Sequence, residues 1–229
     1  MVKKKISRKK LLKEPDEFIS TTGRVVQFLK AHRQQVIRSA ILLALVLALA
    51  AGAYTYLQWR SSAAQAFQQK GFQYYQEALG QAGNETAAKK SYQSAIERFQ
   101  QSISTYGWGE KAQISRLFIG HCYYALGDYE QAEKAYAQCL AGPFKAIAYD
   151  SLGHSYEARG QYAKAMENYQ KNAEDSNPYQ LESLIGVGRC LELLKQQEKA
   201  LKVYQEAQKK FPQSAYGDFI QWKIGELKG

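Results

Sequence analysis

The sequence predicts an all-α protein: an N-terminal transmembrane helix, then an α-solenoid of about four helix pairs, then a C-terminal capping helix. Three observations carry that expectation. A pattern of small and aromatic residues returns at near-constant spacing, nineteen residues from Ser39 to Leu57 pass without a charge, and the positive charge of the chain is gathered ahead of that apolar run. Counting from Gly120, the pattern reads Tyr123, Gly127, Tyr129, Ala132 and Tyr136. From Gly153 the same offsets give Tyr156, Gly160, Tyr162, Ala165 and Tyr169; from Gly188 they give Leu191, Lys195, Gln197, Ala200 and Tyr204. The three glycines stand 33 and 35 residues apart, on either side of the 34-residue period of helix-turn-helix arrays.

Residues 1–35 read as a basic cytoplasmic tail and an interfacial segment. Met1–Lys13 is cationic without a fold signal of its own, which suits anionic headgroups. Beyond Pro15, the residues Phe18, Ile19, Val25, Val26, Phe28 and Leu29 lie among polar neighbours, as in a short helix or helices on a membrane surface, with Gly23 arguing against one unbroken helix. Residues 36–59 form the signal-anchor helix. Its uncharged run spans roughly 28 Å at about 1.5 Å per residue, close to the hydrocarbon thickness. Arg38 and Arg60 bracket it, and Tyr54, Tyr56 and Trp59 form an aromatic belt at its far end. A cleaved signal peptide competes through Ala48-Leu49-Ala50, but the 38 residues ahead of the run are too many for an n-region.

Charge gives the topology. Residues 1–38 hold 11 Lys+Arg against 3 Asp+Glu, whereas residues 39–229 hold 20 against 18. The positive-inside rule therefore leaves the N-terminus in the cytoplasm and sends the remainder across. The near-neutral remainder has no basic stripe, so nucleic acid is not an expected partner.

Residues 60–229 hold the repeats. Helical spacing continues from Arg60 through Leu79 with Ala63, Phe67, Gly71 and Tyr74, and GQAGNET reads as a turn with a Thr cap. Ala95 and Phe99 then follow on a second helix. Gly71 and Ala95 are 24 residues apart where Gly120 and Ala132 are 12, so the first hairpin is about twelve residues longer. Three regular pairs occupy approximately 110–142, 144–177 and 178–212, and SAYGDFIQWKIGELKG repeats the Ile-Gly signal at Ile224-Gly225 in a cap with Trp222 in its core. Gly120, Gly153, Gly188, Ala132, Ala165 and Ala200 are small where paired helices cross, and Tyr136, Tyr169 and Tyr204 fill the space beside them. Gly127 suits a left-handed helix end, and Asp128 the cap of the next helix.

The segments IGHCYYALGDYEQAEKAY and LGHSYEARGQYAKAMENY resemble the tetratricopeptide repeat (TPR). The resemblance implies a solenoid whose concave face, lined by the first helix of each pair, binds other proteins. In that register the groove presents Leu117, His121 and Tyr124, then Asp150, His154 and Glu157, then Ile185, Arg189 and Glu192. It grades from apolar-aromatic to acidic to mixed, which suits an extended or helical peptide with apolar anchors and some positive charge. Leu117, His121 and Glu182 stand where the TPR class that clamps chaperone C-termini carries Lys, Asn and Arg, so that ligand is not carried over.

No catalytic motif is present, and the protein is expected to be no enzyme and to take no cofactor. His121, His154, Asp150 and Glu157 are a conceivable metal set without a fixed third and fourth ligand, and no metal site is assigned. Cys122, Cys139 and Cys190 read as packing residues. The whole layout, with AAQAFQQKGFQYYQEAL after the anchor, resembles the bacterial YfgM-like family of ancillary subunits of the SecYEG translocon. That resemblance implies a non-enzymatic, chaperone-like scaffold of the inner membrane with a periplasmic TPR domain. Its partners would be the translocon, secreted clients or periplasmic chaperones. The same architecture also serves assembly factors or structural subunits of secretion, pilus or division machinery, and import receptors of organelles. In a bacterium the sequon Asn84-Glu85-Thr86 would be idle.

Overall fold

The computed structural model describes residues 17–81 and 83–229; the basic tail 1–13 and the side chains of Phe18 and Ile19 lie outside the described residues. Among the described residues there are ten α-helices and no strand. The chain divides into two units, Met1–Gln58 and Trp59–Gly229.

In the first unit α1 spans Glu17–Ala31 and α2 begins at Arg33, running to Gly80. Helix α1 passes through Gly23 unbroken, against expectation, because one glycine costs a helix only about 1 kcal/mol. The apolar part of α2 is long and apolar enough to cross a membrane, and none of its most apolar window is buried. Leu42, Leu43, Leu47 and Leu49 are all exposed. Among the described residues that apolar window is not buried by any other part of the chain, unlike the apolar face of a helix in a water-soluble core.

The second unit is built from helix pairs. The later part of α2 pairs with α3 (Glu85–Thr105), α4 (Gly109–Ala125) with α5 (Tyr129–Ala137), α6 (Lys145–Ala158) with α7 (Tyr162–Glu174), and α8 (Gln180–Leu193) with α9 (Gln197–Lys210). Helix α10 (Gly217–Glu226) follows. Ala132, Ala165 and Ala200 are fully buried where paired helices cross. Each repeat glycine makes room for an aromatic ring of the helix it pairs with. A Cβ on Gly188 would stand 2.6 Å from the Tyr204 ring, and one on Gly120 or Gly153 would press still closer on Tyr136 or Tyr169. Phe99 takes the same place over Gly71 in the first pair, across the longer hairpin. Tyr169 alone among the repeat tyrosines lies against two glycines, Gly153 of its own pair and Gly186 of the next, where a Cβ would come within 2.8 Å.

Helix ends follow from local chemistry. Gly127 and Gly160 end α4 and α6 at φ 77° and 70°, and Lys195 is forced to φ 62° at the matching place after α8. Asp128 caps α5 by accepting from the Gln131 amide at 3.2 Å. The cap of α3 is Asn84, accepting from the Ala87 amide at 3.1 Å, and not the expected Thr, because the helix starts one residue before Thr86. At the far end Ile220 and Ile224 are buried against α8 and α9 residues, but Trp222 is 59% exposed, contrary to the expected core position.

The three cysteines are free and buried. Burial pushes the thiols of Cys122 and Cys190 up to about 12 and that of Cys139 to about 11, so at neutral pH they are protonated and unreactive.

Candidate functional site

The site grows out of the buried tyrosines. Each ring packs over a glycine of the first helix in its pair, which carries the hydroxyl through to the residues on that helix's outer side. The Tyr136 hydroxyl is 2.8 Å from His121 Nδ1. Tyr169 donates to Glu157 Oε2 at 3.1 Å, and Tyr204 donates to Glu192 Oε1 at 2.7 Å. Thus one neutral ring and two carboxylates answer the same structural hydroxyl in successive pairs.

The two carboxylates are themselves held by cations from the next first helix. Arg189 grips Glu157 with two nitrogens, Nε to Oε1 and Nη2 to Oε2, the latter at 2.7 Å. Lys223 of α10 donates to Glu192 at 2.9 Å and to Glu226 at 3.1 Å. Burial pushes the Glu157 carboxyl up, yet the Arg189 hydrogen bonds and charge, with the Tyr169 hydroxyl, outweigh it and hold the group below the ordinary glutamate value. The Arg189 guanidinium is correspondingly raised. This end of the groove is a closed polar chain.

The other end is open. His121 and Tyr124 of α4, Tyr136 of α5, and Ser151 and His154 of α6 line a shallow cleft of about 330 Å³. Aromatic edges make its walls, with His121 and Tyr136 ring centroids 5.4 Å apart and Tyr124 against Tyr129 at 5.2 Å. Burial lowers His121 to about 4, so its ring is neutral at pH 7. Beside the cleft, Asp150 Oδ2 is 3.5 Å from His154 Nε2, while its Oδ1 is buried without a hydrogen-bond partner among the described residues. A larger cleft of about 510 Å³ between α3 and α4 is lined mainly by Lys89, Gln93, Glu97 and Gln100, and brings no such set together.

Seven of the nine expected groove residues therefore share this surface, in two groups: His121, Tyr124, Asp150 and His154 around the cleft, and Glu157, Arg189 and Glu192 in the ion-pair chain. Leu117 and Ile185 do not belong to it. Leu117 is buried with Ala132, Tyr136 and Leu152, and Ile185 with Tyr169 and Tyr204, because large aliphatic side chains at that register gain more from the inter-pair core than from solvent. The expected pairing of His121 and His154 in space is seen, but Glu157 turns to Arg189, and among the described residues no three metal-ligating side chains converge. Tyr136, Ser151 and Lys223 enter the site without having been expected there. Ser151 lies three residues before His154 on one helix face, and that spacing was the available signal.

A stack of helix pairs with a side-chain-lined groove defines a helical-repeat protein, a class that typically serves as a non-catalytic interaction scaffold. Family models of the tetratricopeptide repeat match residues 151–215 and residues 115–141, so the chain carries tetratricopeptide repeats. Among solved structures it is similar to that of Pseudomonas aeruginosa pilF, at 13% identity and TM-score 0.55, covering 73% of this chain and 68% of that one. A tetratricopeptide repeat protein from Parabacteroides merdae matches at 17% identity and TM-score 0.53, covering 69% and 61%. A putative kinesin light chain from Podospora anserina with TPR-like repeats matches at 16% and TM-score 0.51, covering 75% and 84%. At such identities the likeness is one of fold. No curated protein matches the sequence.

Proposed function

We propose that this chain is a single-pass, membrane-anchored scaffold of the bacterial inner membrane. Its N-terminus faces the cytoplasm, and its repeat domain binds proteins in the periplasm. The observation that carries the reading is an apolar stretch of α2 with no part of its core window buried, joined to a repeat array whose groove keeps an open aromatic cleft. The partner is an extended or helical segment that places an apolar side chain in the cleft and a basic group near Asp150, whose buried Oδ1 is otherwise unsatisfied. The ancillary translocon role rests on the resemblance in layout to the YfgM-like family, with the translocon, emerging secreted proteins or periplasmic chaperones as partners.

The test is affinity purification of the full-length protein from gently solubilised membranes, comparing the wild type with Tyr124→Ala/His154→Ala. Translocon components or secreted clients are expected with the wild type and depleted with the variant. Recovery of one other envelope machine alone would replace the translocon role. Protease access to the repeat domain in intact cells and in spheroplasts checks the side: digestion only after the outer membrane is opened is the expected result.

A further inference from the structure

The corner between α3 and α4 is tied to the first residues of the second unit. Arg60 Nη2 donates to the Ser104 carbonyl at 3.3 Å. Lys111 Nζ donates to Ser61 Oγ at 3.2 Å and to Gln65 Oε1 at 3.0 Å. Gln68 Nε2 donates to the Lys111 carbonyl at 2.8 Å and to Ser115 Oγ at 3.0 Å. Ser104 and Lys111 flank the connecting loop, so both ends of that loop are pinned to residues 60–68. At its apex, between Gly107 and Gly109, stands Trp108, 78% exposed, the most exposed of the large hydrophobic residues in the described part of the chain.

Chain connectivity supplies the second fact. The uncharged run ends at Leu57, and Ser61 follows four residues on, about 6 Å along a helix. The headgroup zone on each side of a bilayer is roughly 5–7 Å thick. Residues 59–61 therefore fall within the headgroup zone if residues 39–57 span the membrane, and the Ser104 carbonyl and Lys111 ammonium bonded to Arg60 and Ser61 lie next to it. Trp59 is itself 67% exposed. Between Ser104 and Arg116 the only acidic residue is Glu110, against Lys111 and Arg116, with Arg60 alongside. An exposed indole in a loop with a cationic surround is the composition that partitions to the membrane interface, and a solvated loop gains nothing from it.

We infer that the loop 106–108 is a second membrane contact, seating the Trp108 indole in the lipid headgroup region. The contact rests on the reading of residues 39–57 as a membrane span. It gives the repeat domain a footing on the bilayer in addition to its covalent link.

The chain has three tryptophans, Trp59, Trp108 and Trp222, which makes the test direct. Three full-length variants, each keeping one tryptophan and replacing the other two with Phe, are reconstituted into liposomes with and without phospholipid brominated in its acyl chains. Circular dichroism melting verifies that each is folded. The expected result is strong quenching of Trp59, comparable quenching of Trp108, and none of Trp222. Quenching of Trp59 with Trp108 as unaffected as Trp222 overturns the loop contact while leaving the anchor standing. Equal quenching of all three replaces a local contact with a domain lying along the membrane. Absence of quenching at Trp59 overturns the span and the loop contact together.

Discussion

At one end of the groove the repeat tyrosine meets a neutral imidazole; two pairs further on it meets a carboxylate already held by a lysine from the last helix. The scaffold around the two is the same, with an aromatic ring over a glycine and a buried alanine at the helix crossing. What differs is how much interaction capacity is left over. Around Glu157, Arg189, Glu192 and Lys223 each charge already has a partner, so a ligand binding there must displace an ion pair and desolvate both halves. Around His121, Tyr124 and His154 the surface is apolar, and among the described residues no lysine or arginine forms an ion pair with Asp150, which has only the His154 ring beside it, so apolar area buried by a ligand is returned at about 25 cal/mol per Å² with little to break first. The comparison separates a part of the groove that holds the array together from a part that is free to bind.

The most severe way to break that division is to remove its shared scaffold. Tyr169→Ala strips a fully buried ring from both Gly153 and Gly186, and a loss of about 3–5 kcal/mol in denaturant unfolding is expected. A loss under about 1 kcal/mol would mean that the ring is not the common support.

The next test separates the two ends by pH. His121 sits at about 4 in the folded protein against 6.5 when free, so below pH 6.5 the unfolded chain takes up a proton that the folded one refuses. Stability should therefore fall as pH drops from 6.5 to about 4 and then level, by on the order of 3 kcal/mol in all. His121→Gln, still able to hydrogen-bond Tyr136, should flatten that slope. An unchanged slope would locate the titration elsewhere.

Glu157 acts in a lower window. Its folded value lies below its unfolded one of 4.5, so its contribution is complete above pH 4.5 and is lost as pH falls through the folded value. Arg189→Met removes that contribution and should cost about 1–2 kcal/mol at pH 7, discounted because the guanidinium is partly exposed. The variant and the wild type should converge in stability at the acid end. A gap that persists there would point to lost packing instead of lost charge.

The smallest expected effect sharpens the repeat comparison itself. Lys195 holds φ 62° where Gly127 and Gly160 hold similar angles without strain, so Lys195→Gly should raise stability by up to about 1 kcal/mol. A destabilised variant would show that the lysine side chain earns its place through contacts.

The repeat unit and its helix ends were legible in the sequence because they rest on local rules. Gly127 and Gly160, each seven residues after a repeat glycine, end their helices, Asp128 caps α5, and a buried alanine marks each crossing. The groove was legible only in part, for a reason visible in Leu117, Asp150 and Ile185. All three occupy one register position, but the aliphatic residues turn into the seam between pairs while the carboxylate stays at the edge. Periodicity assigns a helix face; it does not say where the neighbouring pair's boundary cuts that face. The Arg189 and Lys223 pairings depended on that same boundary, as did the exposure of Trp222. The tie between Arg60 and Ser104 joins residues 44 apart and has no periodic signature at all.

Tyr169 has a further consequence for how the array comes apart. A repeat protein behaves as a one-dimensional string of units whose cooperativity is set by nearest-neighbour coupling. By clasping Gly186 as well as Gly153, and by holding the carboxylate that Arg189 grips, Tyr169 concentrates that coupling at the junction of α7 with α8. Fraying from the C-terminal end should halt there. Backbone amides of α6–α8 should then exchange with solvent only at the cost of global opening, while those of α10 exchange through cheaper, local events.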